Sequence, residues 1–82
     1  MNITDFAENH NTDFETMFRH LNKEIGLTID FKTTAGGLLV DYELPKNPTT
    51  FIYDGKNYII SVKKLKSDVF LFVNDIIDIV ED

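Results

Sequence analysis

Residues 12–26 read TDFETMFRHLNKEIG, and the spacing of their apolar side chains decides what kind of fold this chain can take. Phe14, Met17, Phe18, Leu21 and Ile25 recur at steps of three and four. That spacing puts all five on one stripe of a helix and leaves the other side polar. Thr12 followed by Glu15 reads as a capping box, in which hydroxyl and carboxylate satisfy backbone donors that the first turn leaves free. Gly26 follows the last stripe residue, where a left-handed residue commonly closes a helix. Upstream, Ile3, Phe6 and Ala7 predict a turn or two of helix over residues 3–9, with Thr4 as its cap. The run Asn9-His10-Asn11-Thr12-Asp13 disfavours helix, because short polar side chains compete for the backbone. The N-terminal region is therefore either one kinked helix or two helices broken near 9–12.

After Gly26 the apolar period changes to two. Leu27, Ile29 and Phe31 alternate with Thr28, Asp30 and Lys32, the pattern of a half-buried strand. Thr34-Ala35-Gly36-Gly37 predicts a turn, and a second alternating strand runs from Leu38 to Leu44. Pairing Thr33 with Leu38 sets Phe31 against Val40, Ile29 against Tyr42 and Leu27 against Leu44. A one-residue slip destroys this match. The same register sets Asp30 directly opposite Asp41, and a shift by two pairs Lys32 with Asp41 instead. PKNPTT then reads as a loop, since its two prolines cannot sit inside a paired sheet.

Phe51-Ile52-Tyr53 meets a strand over Lys56–Lys64 through Asp54-Gly55, a strong hairpin signal because both turn residues need positive φ. Lys66-Ser67-Asp68 predicts a turn into Val69-Phe70-Leu71-Phe72-Val73. The segment Asn74–Asp82 fits a helix or a strand. Its β-branched content and acidic end favour a turn at Asn74-Asp75 and a final strand.

This order predicts an α+β domain. An N-terminal amphipathic helix packs on a five- to six-stranded antiparallel sheet, strongly curved or closed into a small barrel. Leu27, Ile29, Phe31, Val40, Tyr42, Tyr58, Ile60, Val62 and Leu71 face the helix stripe. Ile59, Phe70 and Phe72 fall on the other face, with Leu39 and Ile52 as neighbours, and form a patch suited to a barrel interior or an interface. The layout is similar to SH3-like or Sm-like small barrels with an N-terminal helix, a resemblance of strand pattern that implies no function.

The chain has 82 residues, enough for one hydrophobic core. With 43% hydrophobic and 12% aromatic residues it can build that core, which argues against disorder. There are no cysteines, so disulfides and thiolate metal sites are excluded. The sequence shows neither a signal peptide pattern nor an apolar run of the ~20 residues a membrane span needs, and a cytoplasmic setting is expected. Fourteen acidic against eight basic residues give a net charge of −6. That field repels phosphates and anionic membranes and attracts cationic partners, although solubility alone also accounts for a charge of this size.

His10 and His20 are the only histidines. A continuous helix holds them about 15 Å apart and on different faces, with His20 able to pair with Glu24 at i+4, so no metal site is expected. No nucleophile motif or glycine-rich phosphate loop is present, which predicts a non-enzyme that needs no cofactor. Lys63, Lys64 and Lys66 read as strand-edge lysines that discourage aggregation.

The remaining candidates for binding are the acidic residues Asp30, Asp41 and Glu43 on the outward side of the first hairpin, and the patch Ile59, Phe70 and Phe72. Together they predict a small protein–protein interaction protein whose partner carries a basic surface, with no direct binding to nucleic acid or membrane. In size, charge and lack of cysteine the chain is similar to phage-encoded anti-CRISPR proteins and uracil-DNA glycosylase inhibitors. That likeness implies an inhibitor that occupies the basic groove of a nucleic-acid-handling protein. The alternative is an assembly subunit, a small barrel that oligomerises through the apolar strand patch.

Overall fold

The N-terminal region folds as two helices, α1 (Ile3–Asn9) and α2 (Phe14–Ile25), with a sharp stop between them. The computed structural model describes residues 1–34, 37–63 and 76–82, and over 30–41 it describes the backbone course alone. The helix α1 spans residues 3–9 as the sequence suggests, but it is capped two residues earlier than expected. Its cap is Asn2, whose Oδ1 accepts from the Asp5 N–H at 2.8 Å, and Thr4 lies inside the first turn. Asparagine is the stronger cap, and this start brings the fully buried Ile3 into the helix.

The stop between the helices is a paired closing motif. Asn11 adopts φ 56°, its N–H donates to the Glu8 carbonyl at 3.1 Å, and the Thr12 N–H donates to the Ala7 carbonyl at 3.0 Å. A left-handed residue with these two bonds satisfies the last carbonyls of α1, and asparagine tolerates that conformation. Thr12 is therefore committed to ending α1 and does not cap α2. Asp13 takes that role, with extended backbone and a carboxylate oxygen 2.8 Å from the Thr16 N–H. Two capping patterns overlap by one residue here. The anionic one prevails because a carboxylate also favours the positive end of the helix dipole. At the far end Gly26 closes α2 at φ 74°, and Asn22 Nδ2 donates to the Leu27 carbonyl at 2.7 Å, tying the helix to the strand that follows.

Five strands follow among the described residues: β1 (Thr28–Thr34), β2 (Gly37–Glu43), β3 (Thr49–Tyr53), β4 (Lys56–Val62) and β5 (Ile77–Glu81). The β1–β2 register sets Thr33 against Leu38, Phe31 against Val40 and Ile29 against Tyr42, as hydrophobic matching requires. Asp30 faces Asp41 directly, and the register is not shifted by two. Residues 35 and 36 of the expected turn lie outside the described set. The β3–β4 hairpin turns at Asp54 (φ 50°) and Gly55 (φ 77°), both positive as an Asp-Gly turn demands. The C-terminal segment is a strand: β5 pairs antiparallel with β4, setting Ile60 against Ile79 and Val62 against Ile77. The expected turns at Lys66-Ser67-Asp68 and Asn74-Asp75 and the strand over Val69–Val73 lie outside the described residues.

The fold is α+β, but the described strands form two sheets, a pair β1–β2 and a triplet β3–β4–β5, where the sequence suggested one curved sheet or barrel. The strand expected over Val69–Val73, which that single sheet would include, lies outside the described residues, and the loop between β2 and β3 carries both prolines of the chain. Pro45 and Pro48 lack the N–H that a continuous ladder needs, and the Asn47–Pro48 bond is cis. The ladder is nevertheless prolonged by a side chain. Asn47 Nδ2 donates to the Val62 carbonyl at 2.8 Å, and Asn47 Oδ1 accepts from the Val62 N–H at 3.0 Å. Its carboxamide stands in for the next backbone group of β3.

The core lies between the helices and the inner face of the triplet, with Ile3, Met17, Leu21, Leu27, Ile60, Ile77 and Ile79 fully buried. Phe6 is the hub of its aromatic part, in edge-on contact with Phe51 (5.8 Å), Tyr53 (5.8 Å) and Tyr58 (4.8 Å). Of the α2 stripe, Met17 and Leu21 are buried, whereas Phe14, Phe18 and Ile25 are only partly so. Leu27, Tyr42, Tyr58, Ile60 and Val62 are buried as expected, and Ile29 packs partly against the core. The Phe31, Val40 and Leu71 side chains lie outside the described set. The Met1 amine and carbonyl pair with the Ile79 carbonyl and N–H at 3.0 and 2.8 Å, lining the free edge of β5.

Candidate functional site

Three surfaces compete, and two of them follow from the sequence. On the first hairpin, strand alternation puts Thr28, Asp30 and Lys32 of β1 on one face with Leu39, Asp41 and Glu43 of β2. Asp30 and Asp41 are direct cross-strand partners, Glu43 is paired with Thr28, and Glu43 is exposed. Like charges in direct opposition cost stability. Among the described elements each of these strands has the other as its main neighbour, and the hairpin is anchored at its base by Leu27, Tyr42 and Leu44. The molecule measures 45 × 24 × 20 Å with a radius of gyration of 13.0 Å, above the roughly 12 Å of a compact chain of this length.

The second surface is the outer face of the triplet. Thr50, Ile59 and Val80 form one cross-strand row, and Ile52 lies diagonal to Ile59. Ile52 is 68% exposed and Val80 47%, while Ile59 is half-buried. Ile59 therefore faces outward with Ile52, as expected. Val80 joins them because the last segment is a strand. Phe70 and Phe72, expected on the same patch, lie outside the described residues, as do Lys64 and Lys66. Lys63 is exposed.

The third surface is one the sequence did not reveal. The stop between α1 and α2 meets the β3–β4 turn and leaves a cleft of about 350 Å³ lined by Asn9, His10, Asn11, Tyr53 and Asp54. Local backbone places each side: the left-handed Asn11 that ends α1, and the left-handed Asp54 that opens the turn. His10 Nδ1 lies 2.9 Å from the Phe6 carbonyl. A carbonyl only accepts, so Nδ1 carries a hydrogen, and Nε2 lies 3.4 Å from the Tyr58 hydroxyl. Asn9 donates through Nδ2 to Met1 Sδ at 3.4 Å, a contact that uses only the NH2 end of its amide.

The histidines correct the sequence expectation. The break bends the chain so that His10 and His20 both pack edge-on against Tyr53, with ring centroids at 4.8 and 5.1 Å. Among the described residues no bond joins His20 to Glu24, and the buried His20 Nε2 has no hydrogen-bond partner. Tyr53 is thus held from several sides, since Phe6 also contacts it. Among the described residues, no group of three or more His, Asp or Glu side chains converges as a metal site would, and no helix is long and apolar enough to cross a membrane. Comparison with protein-family models, curated proteins and solved structures gives no match for this chain.

Proposed function

We propose that this chain is a non-enzymatic binding protein that presents its β1–β2 hairpin to the basic surface of another protein. Most concretely it is an inhibitor that occupies the nucleic-acid-binding groove of a nucleic-acid-handling protein in the cytoplasm, as a phage-encoded inhibitor of the anti-CRISPR kind would. The observation that carries this reading is the direct opposition of Asp30 and Asp41, with Glu43 on the same face, on a hairpin anchored at its base. A pairing that costs the fold something is offset when a cationic partner supplies counter-charge. The net charge of −6 adds a long-range field that speeds encounter with such a partner.

The test is capture of basic proteins from a cell lysate on the immobilised chain, at about 0.05 and 0.5 M salt, since screening acts on exposed charges. The captured protein should be released by added nucleic acid. It should be lost at high salt and lost with Asp30→Asn/Asp41→Asn/Glu43→Gln. Undiminished capture by that variant removes the hairpin as the binding surface.

A second reading rests on the exposed Ile52, Ile59 and Val80, which suit self-association through the outer face of the triplet. A mass that rises with concentration in sedimentation, and is restored to the monomer by Val80→Lys, would favour it over the first.

A further inference from the structure

We propose that the cleft between the end of α1 and the β3–β4 turn is a binding site for a guanidinium group, the side chain of an arginine. The proposal deepens the reading that the partner is basic and rests on it for the source of that arginine. Four observations carry it.

Among the described residues the lining holds one carboxylate, Asp54, two carboxamides, Asn9 and Asn11, and no lysine or arginine. One N–H of Asn9 is engaged by Met1 Sδ and its oxygen remains an acceptor, while the His10 Nδ1–H is spent on the Phe6 carbonyl. What the cleft offers a ligand is therefore one negative charge, on Asp54, beside the carboxamide oxygens of Asn9 and Asn11. An anion is repelled, and a cation with several donors is matched. The fourth observation is the aromatic wall. Tyr53 is fixed by His10, His20 and Phe6, so it loses little freedom when a planar group settles beside it.

Guanidinium fits better than ammonium for geometric reasons. Its five donors lie in one plane and spread toward acceptors on different sides, it packs on aromatic rings, and it is less strongly hydrated. The acceptors come from two elements whose backbone is locked, the left-handed Asn11 stop and the Asp54-Gly55 turn, so the site is formed before the ligand arrives. A cleft of about 350 Å³ accommodates the head group with part of its aliphatic stem.

The test is an amide chemical-shift titration of the full chain with N-acetyl-arginine methylamide, beside N-acetyl-lysine methylamide and sodium chloride at equal ionic strength. Shifts should move at residues 9–11 and 53–55 and saturate with the arginine compound. The lysine compound should bind several-fold more weakly, and salt should leave those signals in place. Asp54→Asn should weaken the response about tenfold, the worth of a charge-assisted bond. Asparagine is favoured in the same left-handed turn position, so this variant keeps the hairpin, and an unchanged spectrum elsewhere verifies it. Absence of saturation, equal response to lysine, or a response indifferent to Asp54→Asn overturns the proposal. Asp30→Asn/Asp41→Asn/Glu43→Gln should leave the arginine response intact. If that variant still captures basic proteins while the cleft responds as described, the hairpin reading fails and the cleft stands. Capture that depends on the hairpin without any arginine response overturns the cleft alone.

Discussion

Replacing Asn47 with alanine should destabilise the protein by about 2 kcal/mol, although sequence would classify it as an ordinary loop residue. Its carboxamide makes two hydrogen bonds to one peptide unit, at 2.8 Å to the Val62 carbonyl and 3.0 Å from the Val62 N–H. Both are partly buried, and Val62 itself is 6% exposed. A net worth of about 0.5–1.5 kcal/mol for each bond gives a total of roughly 1–3 kcal/mol. For a domain of this size each kcal/mol moves the melting temperature by roughly 4–8 °C, so a fall on the order of 8–16 °C is expected. Asn47→Asp should be no better at neutral pH, because it keeps the acceptor for the N–H but sets a carboxylate against the Val62 carbonyl. Thermal unfolding measures the total, and hydrogen exchange locates it: the Val62 amide should lose protection. A melting temperature within about 2 °C of the parent, or an unchanged Val62 exchange rate, would refute the idea that this side chain extends the ladder.

Other substitutions test the remaining supports. Phe6→Ala removes a ring that is 2% exposed and touches four others, and should cost about 3–5 kcal/mol in denaturant titration. Phe18→Ala should cost clearly less, because Phe18 is half-buried and stacks mainly on Phe14 at 6.1 Å; equal losses would place Phe18 in the core after all. Gly26→Ala should cost about 1–2 kcal/mol, since φ 74° strains any side chain and the added Cβ would lie 3.1 Å from Pro45 Cγ. Asp13 gives a pH signature. The Thr16 N–H and then its hydroxyl hold the carboxyl below its ordinary value of 3.8. The ionised cap therefore stabilises above that value, and its contribution is lost as pH falls through the lowered one. Asp13→Asn keeps a capping side chain without the charge, so its deficit in melting temperature should be present at pH 6 and shrink on acidification; a deficit constant with pH removes the charge from the explanation.

Much of this fold was legible because its signals were local. The alternation of Leu27, Ile29 and Phe31 against Val40 and Tyr42 admits one register, and Asp54-Gly55 admits one kind of turn. The caps were less legible, because Thr12–Glu15 and Asp13–Thr16 satisfy the same rule one residue apart. Only the bonds that end α1 decide between them. Asn47 was invisible, since a side chain that replaces a backbone group has no pattern of its own. The cleft was invisible for a related reason. Its two walls are some forty residues apart in the chain, and sequence spacing kept His10 and His20 on separate faces until a bend brought both to Tyr53.

The pairing of Met1 with Ile79 has a consequence for how the chain reaches this state. These residues are 78 positions apart, and α1 packs beside β5 in the same neighbourhood. Contacts of such separation form only after the entropy of closing nearly the whole chain has been spent. Until β5 docks, Ile3, Phe6 and Ala7 have no complete surface to cover them, and β4 has one partner strand instead of two. The segment around α1 must therefore wait for β5, a partner distant in the sequence. A variant of this chain truncated before residue 77 should hold its hairpins while α1 stays exposed to proteases, and folding should be governed by the docking of β5 more than by the rate at which the helices form.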